Sequence, residues 1–87
     1  MIHSASARFW RCYDALPADI RALADKNFKL LKTNPSHPSL HFKLLAGGKL
    51  YSSRVGLHYR ALGLPRDSGV HWFWVGTHAE YDRLVDG

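Results

Sequence analysis

Cysteine is almost missing from the 87-residue sequence. Cys12 stands alone, which excludes an intramolecular disulfide and any Cys-rich zinc site. Acidic residues are also few, seven against 12 lysines and arginines. No apolar run approaches the roughly 20 residues that a membrane-spanning helix needs. The opening stretch MIHSASARFW lacks the apolar core of a secretory leader. The expectation is a soluble, cytoplasmic protein with no membrane partner. The sequence has no internal repeat, low-complexity tract or linker, and its length suits one domain, taken as residues 1–87.

What is present is a foldable composition with a positive excess. Hydrophobic residues make up 46% and charged residues 22%, unlike a disordered chain. The formal charge is +5, and six histidines can add to it below neutral pH. In a domain this small, that favours a polyanionic partner such as nucleic acid, or an acidic protein. Charge does not choose between them.

The first half of the chain reads as helical. Phe9, Tyr13 and Leu16 recur at helical spacing between Arg8 and Leu16. Pro17 suits a first helical turn, where its missing N–H has no partner to lose. Ile20, Leu23, Ala24, Phe28 and Leu31 then recur at intervals of three and four, with Arg21, Asp25, Lys29 and Lys32 on the other side. This predicts an amphipathic helix from about Pro17 to Thr33. Two prolines within Asn34-Pro35-Ser36-His37-Pro38 end it. Residues 2–7 carry only a faint strand pattern.

The second half changes period. Leu40 to Leu44 alternates as a strand does, and Ala46-Gly47-Gly48 is a turn. Leu50 to Val55 and Tyr59 to Leu64 read as antiparallel strands around Gly56-Leu57-His58. Pro65 to Gly69 has turn chemistry, and Val70 to Val75 is apolar almost throughout, as a strand covered on both faces would be. Gly76-Thr77-His78 is expected to leave the sheet, and Ala79 to Val85 to form a short helix. The predicted class is α+β, with two N-terminal helices packed on a curved four-stranded antiparallel sheet and a short C-terminal helix.

Candidate chemistry gathers in the second half. A three-residue loop at Gly56-Leu57-His58 would set Arg54 opposite Arg60, so both side chains would share one face. Two guanidinium groups side by side persist most easily around an anion, and their planar forks suit phosphate. A two-residue loop, Gly56-Leu57, would instead oppose Arg54 to Tyr59, and solvated arginines on an exposed strand would need no ligand. His78 and Tyr81, three apart on a helix, would share a face. An imidazole exchanges protons near neutral pH; equally, His78 can simply begin the helix and Tyr81 pack on the sheet. His41 and Lys43 share a face of the first strand of this half, or are its solvated side, and His58 sits in the hairpin loop beside the arginines. Trp72 and Trp74 read as core and His71 as a buried, hydrogen-bonded histidine. His37 and His41 are four apart, but Pro38 between them spoils helical ligand geometry, and no metal site is expected. There is no Ser/His/Asp arrangement, phosphate-cradling glycine loop or pair of catalytic carboxylates.

Taken together, these segments resemble the RelE/ParE superfamily of bacterial toxins from type II toxin–antitoxin modules. The resemblance is carried by LPADIRALADKNFKLLKTNP, HPSLHFKLL, YSSRVGLHYRALGL and WFWVGTHAEYDRLV, and above all by "R-V-G, turn, Y-R" followed by "W-x-G-T-H-x-x-Y-D-x-L". It implies a small basic endoribonuclease that cuts mRNA in the ribosomal A site without metal or cofactor. A ribose 2′-OH attacks the adjacent phosphate, leaving a cyclic phosphate and a 5′-OH. It further implies that Arg54 and Arg60 hold the phosphate, that His78 transfers a proton, and that Tyr81 assists. Lys43, Lys49, His58 and His41 would contact RNA. The implied partners are a cognate antitoxin, the ribosome with its mRNA, and operator DNA through the antitoxin. Ser52 and Ser53 depart from the pattern, because several nuclease members carry lysines there. Other branches of the superfamily poison DNA gyrase without cutting RNA, and a third possibility is an inactive, antitoxin-binding module.

Overall fold

A computed structural model of the chain describes residues 1–86. The elements run β1 (Ile2–Ala5), α1 (Ala7–Asp14), α2 (Ala18–Thr33), a 3-10 turn (Pro38–Leu40), β2 (Lys43–Leu45), β3 (Leu50–Val55), β4 (Tyr59–Arg66), β5 (Gly69–Thr77) and α3 (His78–Asp86). The two helices at the N-terminal end and the short one at the other end are as the periodicity predicts. Ser6 starts α1 by accepting a hydrogen bond from the Phe9 amide at 3.1 Å. Pro17 lies just outside α2 as its N-cap rather than within its first turn, and its carbonyl accepts from Ile20 and Arg21.

The sheet has five strands in the order β1-β5-β4-β3-β2. It is mixed, which corrects the four-stranded antiparallel expectation: β1 joins the edge parallel to β5. The strand signal of Ile2-His3-Ser4-Ala5 is faint because its partner lies at the far end of the chain and its outer edge faces solvent. Gly69 makes the pairing possible, since a Cβ there would collide with the Ile2 carbonyl. The strand expected over Leu40 to Leu44 begins later, at Lys43. Pro38 opens a 3-10 turn that His37 caps through Nδ1, accepting from the Ser39 amide at 3.2 Å. Leu40 is fully buried, and His41 turns into the left-handed region at φ 44°. At its other end β5 continues through Gly76 and Thr77, which were expected to leave the sheet, and α3 follows without a linker.

The two faces of the sheet carry different clusters. On one, Val55, Ala61, Val70, Trp72 and Val75 pack against Leu16, Leu31 and Leu40 under the two N-terminal helices. On the other, Leu62 and Trp74 pack with Tyr81 of α3. Trp72 and Trp74 are both core, as expected, at 5% and 6% exposure. A β-bulge sends them to opposite clusters, because Gly63 pairs with Trp72 while Leu62 pairs with Trp74. The extra residue, Phe73, joins the Trp74 cluster, and Val75 returns to that of Trp72. The simple alternation of His71, Phe73 and Val75 is thereby broken. His71 is half-buried rather than buried, and its Nδ1 lies 2.7 Å from Ser4 Oγ.

Candidate functional site

The hairpin between β3 and β4 turns through three residues. Gly56 takes φ 66°, and a Cβ there would lie 2.6 Å from Leu23 Cδ2, so both backbone shape and the approach of α2 require glycine. Val55 therefore pairs with Tyr59 and Arg54 with Arg60. The two arginines stand opposite each other on one face, and neither has a carboxylate within salt-bridge distance among the described residues. Arg54 Nε and Arg60 Nη1 are buried without a hydrogen-bond partner. Burial, and then the charge of Arg54, push the Arg60 guanidinium below its ordinary range, while Tyr81 and Asp82 oppose the change. A guanidinium starts so basic that it stays charged. The pair is a positive site that Asp82 and Tyr81 offset only in part.

The next strand and helix complete one border of this site. Arg60 pairs with Gly76 on β5, and α3 starts two residues later. A capping box sets its first turn. Thr77 Oγ1 accepts from the Glu80 amide at 3.2 Å, and Glu80 Oε1 accepts from the Thr77 amide at 3.2 Å and hydroxyl at 2.9 Å. The His78 amide, otherwise an orphan of the helix start, donates to the His58 carbonyl at 2.7 Å. This bond ties α3 to the arginine hairpin. Tyr81 is 8% exposed and packs on the sheet, as its structural alternative expected. Its ring is also the shared neighbour of the site. The Arg60 guanidinium carbon lies 5.7 Å from its centroid, and the His78 ring centroid also lies 5.7 Å away. His78 Nδ1 sits 3.1 Å from Asp82 Oδ2, which leaves Nε2 free of that contact.

The opposite border comes from β2. Lys43 pairs with Ser52, which lies two residues from Arg54 and so on the same face. His41 is not in that strand, contrary to expectation, but closes the 3-10 turn beside it. The positive charges of Arg54 first, then some desolvation, Arg60 and Lys43, hold its imidazole below the ordinary histidine range. His58 is exposed in the hairpin loop and contributes its carbonyl to α3. Lys49 is exposed in the turn before β3. It lies five residues along the chain from Arg54, on the order of 17 Å for an extended strand, and does not join the arginine cluster. The structure thus gathers Arg54, Arg60, His78, Tyr81, His41 and Lys43, with His58 at the margin and Lys49 apart.

Two supports escaped the sequence reading. Thr77-His78-Ala79-Glu80 carries the T-x-x-E signal of the capping box in plain view. Asn27 is a polar residue on the apolar side of α2, and its Nδ2 donates to the Arg54 carbonyl at 3.3 Å. In the cluster Arg54 and Arg60 are half-buried, while His41, Lys43 and His58 are exposed. A cavity of about 290 Å³ lies on the helix-covered side, walled by Phe9, Trp10, Tyr13, Phe28, Leu31 and Trp72. Its lining is mostly apolar, with His3, Asp25 and Arg54 among the polar residues that reach it.

No protein-family model matches the chain, and no curated protein matches it in sequence. Solved structures do match in fold. A chain of the RelB-RelE antitoxin-toxin complex from Methanococcus jannaschii aligns with a TM-score of 0.71 at 19% identity, covering 92% of this chain and 96% of that one. The YoeB/ParE toxin from Agrobacterium tumefaciens aligns with a TM-score of 0.69 at 16% identity, over 90% of this chain and 99% of that one. YafQ from Escherichia coli gives a TM-score of 0.69 at 16% identity, over 92% and 96% of the respective chains.

Proposed function

From a chain that carries the RelE/ParE toxin fold, we propose that the protein is the toxin of a toxin–antitoxin pair and acts as a ribosome-dependent mRNA endoribonuclease. The observation that supports this most is the Arg54–Arg60 pair, without a salt bridge among the described residues and bordered by His78 and Tyr81. In this reading the two guanidiniums grip the scissile phosphate and stabilise the charge that builds on it during attack. The 2′-oxygen loses a proton as it bonds to phosphorus. The P–O bond to the 5′-oxygen breaks, and that oxygen gains a proton. His78 is the general acid or base, with Asp82 orienting its ring through Nδ1 and Tyr81 as the floor beneath it. Lys43 and His58 meet neighbouring RNA backbone, and Lys49, farther off, meets the RNA or the ribosome.

The same face is a place for a neutralising partner. An acidic antitoxin segment would mask the arginine pair, and the RelB-RelE structure offers a precedent for a toxin of this fold held by its antitoxin. Operator DNA would be reached through that antitoxin.

Expression without any antitoxin, followed by mapping of new mRNA 5′ ends, tests the proposal. Growth arrest with codon-phased cuts is the expected result. Replication arrest with intact messages would replace it with gyrase poisoning, and normal growth would leave only a binding module.

A further inference from the structure

We propose that His41 is the proton acceptor of this site, which leaves His78 as the proton donor. The assignment rests on the endoribonuclease reading and divides between two histidines what that reading gave to one. Its basis is placement. The β2–β3 register pairs Lys43 with Ser52 and Leu45 with Leu50. His41 precedes that ladder as the left-handed cap of the 3-10 turn, between Leu40 and Phe42, which both pack toward the helix-covered cluster. Two residues beyond Ser52, Arg54 stands opposite Arg60, which stands opposite Gly76. One row across the sheet therefore reads guanidinium, guanidinium, glycine, with His41 ahead of β2 at one end, near enough to Arg54, Arg60 and Lys43 to feel their charges, and His78 on α3 at the other. A phosphate held by the arginines would lie between the two imidazoles.

His41 is exposed, yet its backbone is held on both sides. Leu40 before it is 0% exposed. Phe42 after it stacks on Tyr51, with ring centroids 4.8 Å apart and planes 8° from parallel. Between these anchors His41 adopts φ 44°, ψ 41° and donates its amide to the Pro38 carbonyl at 3.4 Å. Left-handed backbone is unfavourable for a residue with a Cβ, and such positions cluster where a side chain must be aimed. The surrounding charges favour the neutral ring, Arg54 most. Lys43 from β2, Arg54 from β3 and Arg60 from β4 are all positive and all act to keep the ring neutral. The acids nearest the row, Asp82 and Glu80, are on α3 and engaged with His78 and Thr77. A neutral imidazole has a free nitrogen for the 2′-OH proton. His78 holds Asp82 through Nδ1 at 3.1 Å, which leaves its Nε2 for the leaving oxygen.

The proton balance closes. His41 takes the proton of the 2′-OH as the new P–O bond forms. His78 delivers a proton to the 5′-oxygen as the old bond breaks, and the two histidines return to their starting states through water.

The test uses His41→Gly and His41→Asn, both of which tolerate the left-handed backbone. Single-turnover cleavage of message on programmed ribosomes is measured against pH, alongside binding to those ribosomes. The expected result is a loss of about 10²- to 10⁴-fold in cleavage, with binding unchanged and the fall in rate toward acid pH abolished. Free imidazole should restore cleavage to His41→Gly. Variants that cut within threefold of wild type, or that lose binding in proportion to cleavage, overturn the assignment and make His41 a backbone contact. A wild-type protein that cuts no message at any pH overturns the endoribonuclease reading as well.

Discussion

On one side of the sheet Val55, Ala61, Trp72 and Val75 are buried under α1 and α2. On the other, one residue away along the same strands, Arg54 and Arg60 face each other, neither in a salt bridge among the described residues. Adjacent residues of β3 and β4 thus point to opposite demands, because strand side chains alternate. The covered side follows the hydrophobic effect, with about 1.5–3 kcal/mol expected from each large apolar side chain fully buried. The open side runs against electrostatics, since two like charges are held together on rigid strands. The covered side supplies the rigidity that the open side needs. Leu23 closes over Gly56 at the hairpin, and Asn27 holds the Arg54 carbonyl from beneath. Repulsion that a flexible loop would relax is retained here.

The largest effect should come from the open side and should concern activity alone. Arg60→Ala is expected to lower message cleavage by about 10²- to 10³-fold while melting no lower than wild type, because it removes a charge that is offset only in part. Sulfate offers an independent check. It should raise the melting temperature of wild type more than that of Arg60→Ala, since the variant keeps only the general salting-out effect while a bound anion adds stabilisation by mass action. An equal rise in both proteins would remove the anion site, and with it the contrast between the faces.

On the covered side the effect should be the reverse. Trp72→Ala should destabilise by about 3–5 kcal/mol, read from denaturant unfolding, because the ring is 5% exposed and its Nε1 donates to His3 Nδ1 at 3.1 Å. Cleavage per folded molecule should change little. A Trp72→Ala protein that unfolds as late as wild type would mean that α1 and α2 do not rely on this cluster.

The seam between the faces gives a smaller effect. Thr77→Ala removes the cap of α3 and should cost about 1 kcal/mol, together with a partial loss of cleavage as His78 loosens. Thr77→Ser, which keeps the hydroxyl, should restore both. If alanine and serine behave alike, the His78 amide bond to His58 suffices to place the ring.

How far the sequence disclosed this contrast depends on the range of the contacts involved. The hairpin was legible because Gly56 and a three-residue loop fix the register within eight residues. The amphipathic α2 was legible because its pattern is local. β1 was not, since four residues with a weak pattern find their partner only when the chain is folded. The bulge at Leu62 and Gly63 was also hidden, because alternation cannot reveal where a strand adds a residue. His41 looked like a strand residue because its dihedral depends on the turn that Pro38 starts and Leu40 anchors. The capping box was written in four adjacent letters and could have been read. Asn27 gave no signal beyond a polar side chain on an apolar stripe.

The smallest expected effect concerns acid. His3 lies under α2 with its ring stacked on Trp72, centroids 6.2 Å apart, and edge-on to Phe28 at 5.3 Å. Burial, then the amino terminus and Lys32, hold its imidazole below the ordinary 6.5. The bond from Trp72 also needs an unprotonated Nδ1. Below about pH 6.5 the unfolded chain takes up a proton at His3 that the folded chain refuses, so stability must fall as pH drops and level off once the folded group titrates. His41 is depressed in the same direction and contributes with the same sign. The difference between wild type and His3→Asn therefore isolates the covered side. Unfolding free energies measured from pH 7.5 downward should converge as the medium turns acid, the variant losing less. Parallel curves would show that His3 is as accessible to protons folded as unfolded, and that the covered side is wetter at β1 than at Trp72.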